Sequence, residues 1–573
     1  MKYQHCLRRT LAMDKTKLKI VCGIKKAITN PTKLVNFLRK CSANGIRSTF
    51  ANYLSDSKGD TYFSCCAPYR KYSILTTPHC LTIARQIEAS LNNLGFQGKH
   101  YLNFKDLPKE SDVLTFVICP QLFSQLPADY VVIQLEQSSS PWFNENYWHT
   151  LRQAQAVLEF SEKNISILQE NGIPLNKIFY LPITPNFSQA TIERDSNPLF
   201  DIGFVGALND RRRKILDALQ KIYTVNIITN KFGNELETEL KKCKLLLNLH
   251  YYEQDALETT RLTDFSRYSV PILSEDSEVQ EKVFFNQVSF FKENDIDDLF
   301  EQIKILLEKS SNEIPVKEKF NYFDFYLLRF LLAKDIINFS EFFNAVGRFY
   351  PIDSDFLCLT LTETPERKNR FIRHNTFENI QMIEGLRHDI GWIGCGLSYK
   401  FLSSLSLLNK ISPLTICEDD VEEKIDTRIR YEETLKFLKQ NQDWNLFSGL
   451  MADVDDTYEV LKYYSVKGGE YINTNKTVSM VFNIYNQKSL LLLASWSPYD
   501  RRTENTIDRF LENSKLSGLY TVLPFLVRQS LDVKSSLWTG VEDVNRLYDV
   551  MIHKSEANLF FKLRIMSRES PQR

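Results

Sequence analysis

The feature that most constrains the fold is a regular alternation of short apolar runs with helical segments. Between residues 72 and 291, runs with the composition of strands are separated by stretches whose apolar residues recur at helical spacing. The stretch Leu81–Leu94, for example, ends at Gly95, as helices often do. Strands that alternate with helices are typical of parallel sheets covered on both faces. The predicted strands are Ser73–Thr76, Val113–Cys119, Tyr130–Leu135, Ala156–Phe160, Ile178–Leu181, Phe200–Gly206, Tyr223–Ile228, Leu245–Leu249, Val270–Leu273 and Val288–Phe291.

The length of 573 residues and the points at which this pattern restarts predict several domains. Two successive rounds predict a two-lobed Rossmann-like module with a cleft between its lobes. A third α/β unit opens at the strand-like run Phe356–Leu361. The predicted segments are an unreadable N-terminal part (1–70), a first lobe (71–195), a second lobe (196–312), a helical aromatic-rich linker (313–352), a single α/β domain (353–540) and a basic tail (541–573).

Composition excludes several classes of function. The 71 basic and 71 acidic residues give zero formal net charge, which disfavours a nucleic-acid partner. No apolar stretch approaches the roughly 18 residues of a membrane span, and the first residues show no secretory signal. We therefore expect a cytoplasmic protein. The basic tail around Leu559–Phe561 predicts either a peripheral contact with the inner face of a membrane or an ordinary amphipathic terminus.

The eleven cysteines predict no disulfide framework. None forms a CxxC pair, which disfavours zinc, and several lie in apolar strand-like runs. We expect reduced thiols in a reducing compartment.

Three consecutive carboxylates, Glu418, Asp419 and Asp420, follow the apolar run Leu414–Cys417. Ligand chemistry gathers at the carboxyl ends of strands in open α/β sheets, and clustered carboxylates suit a hard divalent cation. The alternative is a solvated acidic turn before a helix.

Two further blocks precede this run, the turn Pro365–Lys368 and the glycine block Gly391–Lys400. In this order, the three blocks resemble glycosyltransferase family 25, which includes bacterial lipopolysaccharide galactosyltransferases and animal collagen galactosyltransferases. The resemblance covers about residues 354–540. The sequence departs from the family at Tyr399, where a His is usual, and in Ser479–Ile484, which lacks the family's His.

The resemblance implies a GT-A-like domain that transfers a hexose, with galactose favoured, from a nucleotide-diphosphate sugar. Mn²⁺ or Mg²⁺ is the implied cofactor, since a divalent cation neutralises a departing diphosphate. The implied roles are metal binding for Asp420 with Glu418, metal or ribose binding for Asp419, phosphate binding for Arg367, donor binding for Gly394 and Ser398, and general base for Asp508, with Asp453, Asp455 and Asp456 as rivals.

The second lobe resembles the donor-binding half of two-lobed (GT-B) glycosyltransferases. The resemblance rests on Gly203–Gly206 with the following Asn209–Arg213, on Glu258–Leu262 and on Val270–Glu275. It implies that a diphosphate binds at the Gly206 turn, next to a helix N-terminus. Arg212 or Arg261 would neutralise that diphosphate without a metal. Glu258 or Glu275 would hold sugar or ribose hydroxyls. The alternative for the arginine run is a solvated helix start.

Together these patterns predict a bifunctional or fused glycosyltransferase with a UDP-sugar donor and a glycan or lipid-linked glycan acceptor. Lipopolysaccharide or other surface-glycan synthesis is the implied setting. A second interpretation keeps only the C-terminal domain active. The alternative from another class is a degenerate glycosyltransferase fold that binds carbohydrate or serves as a scaffold.

Overall fold

The computed structural model describes residues 70–110, 112–185, 191–252, 256–277, 280–308, 320–533 and 544–569. The described residues up to Pro351 form one compact unit, and those from Ile352 form a second. The segment predicted as unreadable, 1–70, lies outside the described residues except for Arg70.

The N-terminal unit contains two parallel sheets, which confirms the predicted α/β class. The first sheet has six parallel strands in the order β2-β1-β3-β4-β5-β6. Its middle strands are buried almost throughout, because helices cover both faces. The elements are β1 (Lys71–Leu75), α1 (Leu81–Asn93), β2 (Gln97–Tyr101), β3 (Val113–Ile118), β4 (Val131–Gln134), α2 (Glu145–Gln153), β5 (Ala156–Glu159), α3 (Glu162–Glu170) and β6 (Ile178–Tyr180).

The second sheet has five parallel strands in the order β8-β7-β9-β10-β11. Both sheets thus place their second strand on one side of the first and their third strand on the other. In such sheets a crevice forms at the carboxyl ends of the strands where the order reverses, the switch point. The elements are β7 (Phe200–Val205), α4 (Asp210–Leu219), β8 (Val225–Ile228), α5 (Gly233–Leu240), β9 (Cys243–Asn248), α6 (Thr259–Phe265), β10 (Ile272–Glu275), β11 (Val288–Phe291) and α7 (Ile296–Glu308).

The described part of the aromatic segment predicted as a linker, 320–351, belongs to the N-terminal unit. It forms helices α8 (Tyr322–Ala333) and α9 (Phe339–Ala345). Helix α8 is apolar all round and nearly every side chain in it is buried. Aromatic rings of α8 meet those of β6, with centroids 5.1 Å apart for Phe330 and Phe179 and 5.0 Å apart for Tyr326 and Tyr180.

The C-terminal unit is built on a mixed eight-stranded sheet in the order β13-β12-β14-β19-β16-β20-β18-β17. Its first three strands are parallel and repeat the second-first-third order of the other sheets. The elements are β12 (Phe356–Thr360), α10 (Pro365–His374), β13 (Gln381–Glu384), α11 (Gly391–Leu408), β14 (Leu414–Glu418), β15 (Val421–Glu423), α12 (Thr427–Gln440), β16 (Leu446–Ser448), β17 (Val460–Val466), β18 (Gly469–Thr474), β19 (Phe482–Tyr485), α13 (Gln487–Ser495), α14 (Ile507–Glu512), β20 (Leu519–Leu523) and β21 (Val527–Gln529).

The described part of the predicted basic tail is a helix, α15 (Val544–Glu569), packed on the C-terminal unit. Its Ile552, Leu559 and Leu563 join the apolar core of that unit. The helix also satisfies loop backbone: the amide of Val454 donates to Ser555 Oγ at 2.9 Å. One face of the helix is thus covered by the C-terminal unit, whereas Phe561, in the stretch that suggested a membrane contact, is 66% exposed, and that contact stays a prediction. No helix among the described residues is long and apolar enough to cross a membrane.

Candidate functional site

The switch point of the C-terminal sheet brings the acidic run and the first helix together. Asp419, directly after β14, accepts a hydrogen bond from Thr360 Oγ1 at the end of β12, at 2.9 Å. It also accepts from Arg367 of α10, at 2.8 Å from Nε and 2.5 Å from Nη2. Arg367 and Asp419 are both nearly buried. The turn block and the acidic run, 52 residues apart in sequence, therefore form one ion pair.

Asp420 is the most unusual carboxylate of this site. Its Oδ2 lies 3.3 Å from Arg367 Nη2 and 3.3 Å from Gln529 Nε2. Its Oδ1 is buried and receives no hydrogen bond from the described residues. Buried charged oxygens are costly unless they are paired, so an oxygen in this position favours a cation or a donor from a ligand. Its donor chemistry therefore fits the Mn²⁺ or Mg²⁺ that the sequence implies.

The local charge balance is negative. Burial by itself would lower the pKa of Arg367, but the charges of Asp419 and Asp420 outweigh burial and raise it, so the guanidinium stays charged. Burial raises the pKa of Asp419, and the neighbouring charge of Asp420 adds to this effect against the opposing charge of Arg367. The guanidinium of Arg367 is thus the shared cationic partner of Asp419 and Asp420.

Glu418 has a different environment from the two aspartates. Successive side chains of a strand point to opposite faces, and Glu418 contacts Tyr399 of α11. The Tyr399 hydroxyl lies 3.1 Å from Glu418 Oε1 and 2.7 Å from the Met480 carbonyl oxygen. Burial raises the pKa of Tyr399, which keeps the hydroxyl a donor. In the described chain, Glu418, Asp419 and Asp420 do not each bring an oxygen within 4.8 Å of the others.

Gly394 and Ser398, predicted to bind the donor, hold the loop after β13 against α11. Ser398 Oγ accepts from the Leu386 amide at 2.8 Å and lies 3.1 Å from the Leu386 carbonyl oxygen. A Cβ at Gly394 would come within 3.0 Å of the His388 backbone nitrogen. Both residues therefore position the segment that carries Arg387, whose guanidinium pairs with the fully buried Glu363 at 3.3 Å.

Asp508, the predicted base, is buried in the first turn of α14. Its Oδ1 accepts from the Arg509 amide at 3.0 Å. Arg509 in turn donates to Asp453 Oδ2 at 2.5 Å and to Glu512. The structure therefore groups Asp508 with its rival Asp453 around one arginine. The other rivals, Asp455 and Asp456, are exposed.

The switch point of the second sheet in the N-terminal unit is cationic. Arg212, in the first turn of α4, is 1% exposed and donates to the backbone oxygens of Ala207, Leu249 and His250. Its Nη2 also donates to Glu258 Oε1 at 2.8 Å. Burial lowers the pKa of Arg212 to about 10 despite the charge of Glu258. Arg212 is therefore a structural cation that joins the ends of β7 and β9.

Arg261 is the more accessible cation of this site. Its Nη1 donates to Asn248 Oδ1 at 2.7 Å and to Glu258, and its side chain is 20% exposed. Gly206 has φ 141°. A Cβ there would lie 3.2 Å from both Arg261 Nη2 and Arg212 Nη1. The missing side chain at Gly206 thus leaves room beside two guanidinium groups.

Glu275 pairs with an arginine that the sequence analysis did not single out. Arg211 donates through both Nη atoms to the Glu275 carboxylate, and the His250 amide donates to Glu275 Oε2 at 2.9 Å. These hydrogen bonds and the charge of Arg211 outweigh burial and lower the pKa of Glu275. Thr360 and Gln529 are likewise contacts that only the fold reveals. The available signals were the strand-end position of Thr360 and, for Gln529, the resemblance of Val522–Ser530 to a late strand of family 25.

No family model matches the chain. The chain is similar to proteins of Acanthamoeba polyphaga mimivirus that are named as uncharacterized. L137 is 25% identical over 158 residues, which is 26% of this chain and 21% of L137. R358 is 35% identical over 106 residues, which is 18% of this chain and 34% of R358. The matched parts thus span about a fifth and a third of these relatives.

Solved structures are similar only remotely. The apo form of the lipopolysaccharide outer core galactosyltransferase WaaB is 11% identical, with 49% of this chain and 96% of WaaB covered and a TM-score of 0.26. The UDP-GlcNAc 2-epimerase of Methanocaldococcus jannaschii is 13% identical, with 46% and 99% covered and a TM-score of 0.26. Similarities with TM-scores this low support no conclusion about the fold or function of this chain.

Proposed function

We propose that the chain is a glycosyltransferase that uses a nucleotide-diphosphate sugar, with a metal-dependent site at the switch point of the C-terminal sheet. The observation that carries the proposal is the buried Oδ1 of Asp420, which has no hydrogen-bond partner among the described residues and lies beside a charged Arg367. This pairing suits a ligand that brings a cation and an anion together, as a metal-bound diphosphate does.

Each side chain has a defined part in this proposal. Asp420 would hold Mn²⁺ or Mg²⁺, which when bound supplies Lewis-acid neutralisation of a departing diphosphate. Arg367 is the cationic partner of both Asp419 and Asp420 and orients both. Glu418 accepts a hydrogen bond from the Tyr399 hydroxyl and lines the site. Gly394 and Ser398 position the loop after β13, and donor binding at these residues stays a prediction.

The transfer itself needs an acceptor hydroxyl to lose a proton. The hydroxyl oxygen forms a bond to the anomeric carbon of the donor, the bond from that carbon to the diphosphate breaks, and the diphosphate leaves with the electron pair. Asp508 is the proposed base, as the resemblance to family 25 implies. The same resemblance supports a hexose donor, galactose favoured, carried by UDP, and an acceptor in surface-glycan synthesis.

A second donor site in the N-terminal unit would make the protein bifunctional. Its support is the room beside Arg261 at the Gly206 turn, where a diphosphate would meet cationic donors without a metal. Glu258 and Glu275 already accept from arginines. Sugar hydroxyls would therefore have to share these carboxylates with Arg212, Arg261 and Arg211.

The test is nucleotide release from a panel of UDP-, GDP- and CMP-sugars, first with Mn²⁺ and then with EDTA. We expect turnover that requires Mn²⁺ and that Asp420→Asn reduces at least about 100-fold, since one lost group in such a site costs several kcal/mol of barrier. Glu422→Gln is the matched control, because Glu422 is a half-exposed carboxylate on the adjacent β15. Equal loss in both variants would contradict the proposed role of Asp420.

The same assay separates one active site from two. Turnover that survives EDTA and Asp420→Asn but fails in Arg261→Ala assigns activity to the N-terminal unit. The competing function is a carbohydrate-binding or scaffold protein, which the buried Tyr399 in place of the family's His favours. Glycan binding by calorimetry that needs no metal, with no turnover of any donor, would establish that alternative.

A further inference from the structure

The switch point of the first sheet carries three soft ligands that come from two different strand ends. His79 and Cys80 follow β1, and Cys119 follows β3. Their ligand atoms all lie within 4.8 Å of one another. The two cysteines are 39 residues apart in sequence, so no local spacing reveals them as a pair.

The distances match the edges of a small tetrahedron. Cys80 Sγ lies 3.5 Å from Cys119 Sγ, and Cys119 Sγ lies 3.9 Å from His79 Nε2. Zinc–sulfur bonds of about 2.3 Å and zinc–nitrogen bonds of about 2.0 Å at tetrahedral angles give edges of about 3.8 Å and about 3.5 Å. Both observed distances lie within about half an ångström of these edges, so only small side-chain rotations are needed.

Burial also suits a metal. Both cysteines are about nine-tenths buried or more, whereas His79 is exposed, so the cluster has one open side. The two thiols therefore lie away from water, and the imidazole lies at the open side of the cluster.

We propose that His79, Cys80 and Cys119 bind zinc through three protein ligands and leave a fourth position for water or a substrate group. Two thiolates and one imidazole suit a soft-to-borderline ion such as Zn²⁺ better than the hard Mn²⁺ or Mg²⁺. Three protein ligands with an open fourth position are typical of catalytic rather than structural zinc.

The location supports a functional site within the N-terminal unit. The His79 ring lies 6.4 Å from the ring of Phe232, which directly precedes α5 of the second sheet. Ligands of open α/β sheets bind in the crevice at such a switch point. The zinc proposal rests only on residues of the N-terminal unit, and it goes beyond the proposed glycosyl transfer.

The test uses the full chain, stripped of metal and kept under a thiol reductant, with one equivalent of Co²⁺ and then Zn²⁺. We expect the thiolate-to-cobalt charge-transfer band and the strong visible bands of tetrahedral Co²⁺, and their loss when Zn²⁺ displaces the cobalt. Cys80→Ser and Cys119→Ser should each abolish the charge-transfer band. Cys243→Ser, a buried thiol of the same unit, is the matched control and should behave as the wild type.

His79→Ala keeps the test valid if a cysteine variant misfolds, since His79 is exposed. We expect it to lower the affinity for Zn²⁺ at least 10-fold, as measured in competition with a chromophoric chelator. We also expect it to remove any rise of the melting temperature that Zn²⁺ produces in the wild type. Cobalt bands that persist unchanged in Cys80→Ser and Cys119→Ser would overturn the proposal. A Cys80–Cys119 disulfide that survives the reductant and excludes the metal would overturn it as well.

Discussion

The second sheet of the N-terminal unit and the sheet of the C-terminal unit share the arrangement of their first three strands but carry opposite charge at the switch point. The former gathers Arg211, Arg212 and Arg261 around Glu258 and Glu275, which leaves one surplus positive charge. The latter gathers one arginine around Asp419 and Asp420, which leaves one surplus negative charge. Similar strand arrangement thus carries opposite local charge, because that charge depends on a few side chains at the strand ends.

The two sites also differ in how completely their carboxylates are satisfied. In the cationic site both glutamates accept hydrogen bonds from guanidinium groups. In the anionic site, Oδ1 of Asp420 accepts none from the described residues. The carboxylates of the first cluster are thus paired within the described chain, although both ring nitrogens of the neighbouring His250 are buried there without a partner. The second cluster leaves one buried carboxylate oxygen without a hydrogen-bond donor among the described residues.

The largest expected effect is the loss of Arg367. Arg367→Ala leaves two nearly buried carboxylates without their cation, which should cost about 3–5 kcal/mol of unfolding free energy. Denaturant unfolding of the full chain checks the value. Arg428→Ala, which removes an exposed pair with Glu378, should change little. Equal losses in the two variants would mean that the anionic site is not held together by Arg367.

The next effect is a pH dependence of the N-terminal unit. Burial raises the pKa of Asp264 in α6 from 3.8 to about 6, although Arg267 and Arg261 oppose it. The folded state therefore favours the protonated form. This contribution to stability is fully present below pH 3.8 and is lost as the pH rises through about 6. The unfolding free energy should fall by at most about 3 kcal/mol over this range.

Asp264→Asn should remove this pH dependence of the stability, because the amide is neutral at every pH. Melting temperatures of wild type and variant across this pH range give the comparison, and Asp217→Asn on the exposed face of α4 serves as control. Parallel curves for wild type and Asp264→Asn would show that folding does not raise the pKa of Asp264.

A binding experiment separates the two sites directly. Asp420→Asn should weaken Mn²⁺ about 100-fold, or about 2.7 kcal/mol, and leave metal-free binding of a nucleoside diphosphate unchanged. Arg261→Ala should do the reverse. Calorimetry measures both affinities, with Glu422→Gln and Arg213→Ala as controls in each unit. If either variant lost both ligands together, the two sites would not be independent.

The smallest expected effect concerns the Gly206 turn. Gly206→Ala forces a side chain into φ 141° and within 3.2 Å of two guanidinium groups, which should cost about 2 kcal/mol. Gly233→Ala is the control, since Gly233 has φ 56° and open space around its Cβ position. Its cost should be about 1 kcal/mol lower, because only backbone strain remains. Equal melting temperatures for Gly206→Ala and Gly233→Ala would show that the two guanidinium groups move aside at no energetic cost.

Sequence patterns predicted the secondary structure well in segments whose apolar residues follow one clear spacing. The runs Val113–Cys119 and Ala156–Phe160 are confirmed as β3 and β5, because buried parallel strands are apolar almost throughout. The acidic run was also predicted to end a strand, as it does at Glu418. The aromatic segment was harder to interpret, because helical spacing identifies a helix but not the surface that covers it.

The amino-acid sequence by itself determined the α/β class, the order of the elements and the strand ends at which chemistry collects. Those properties depend on local periodicity and on side chains close in the chain. Only the tertiary structure decided that Arg367 meets Asp419, that Oδ1 of Asp420 is left without a described partner, and that Cys80 meets Cys119. Such contacts join residues far apart in sequence, and strand order, which local pattern does not encode, decides which strand ends become neighbours.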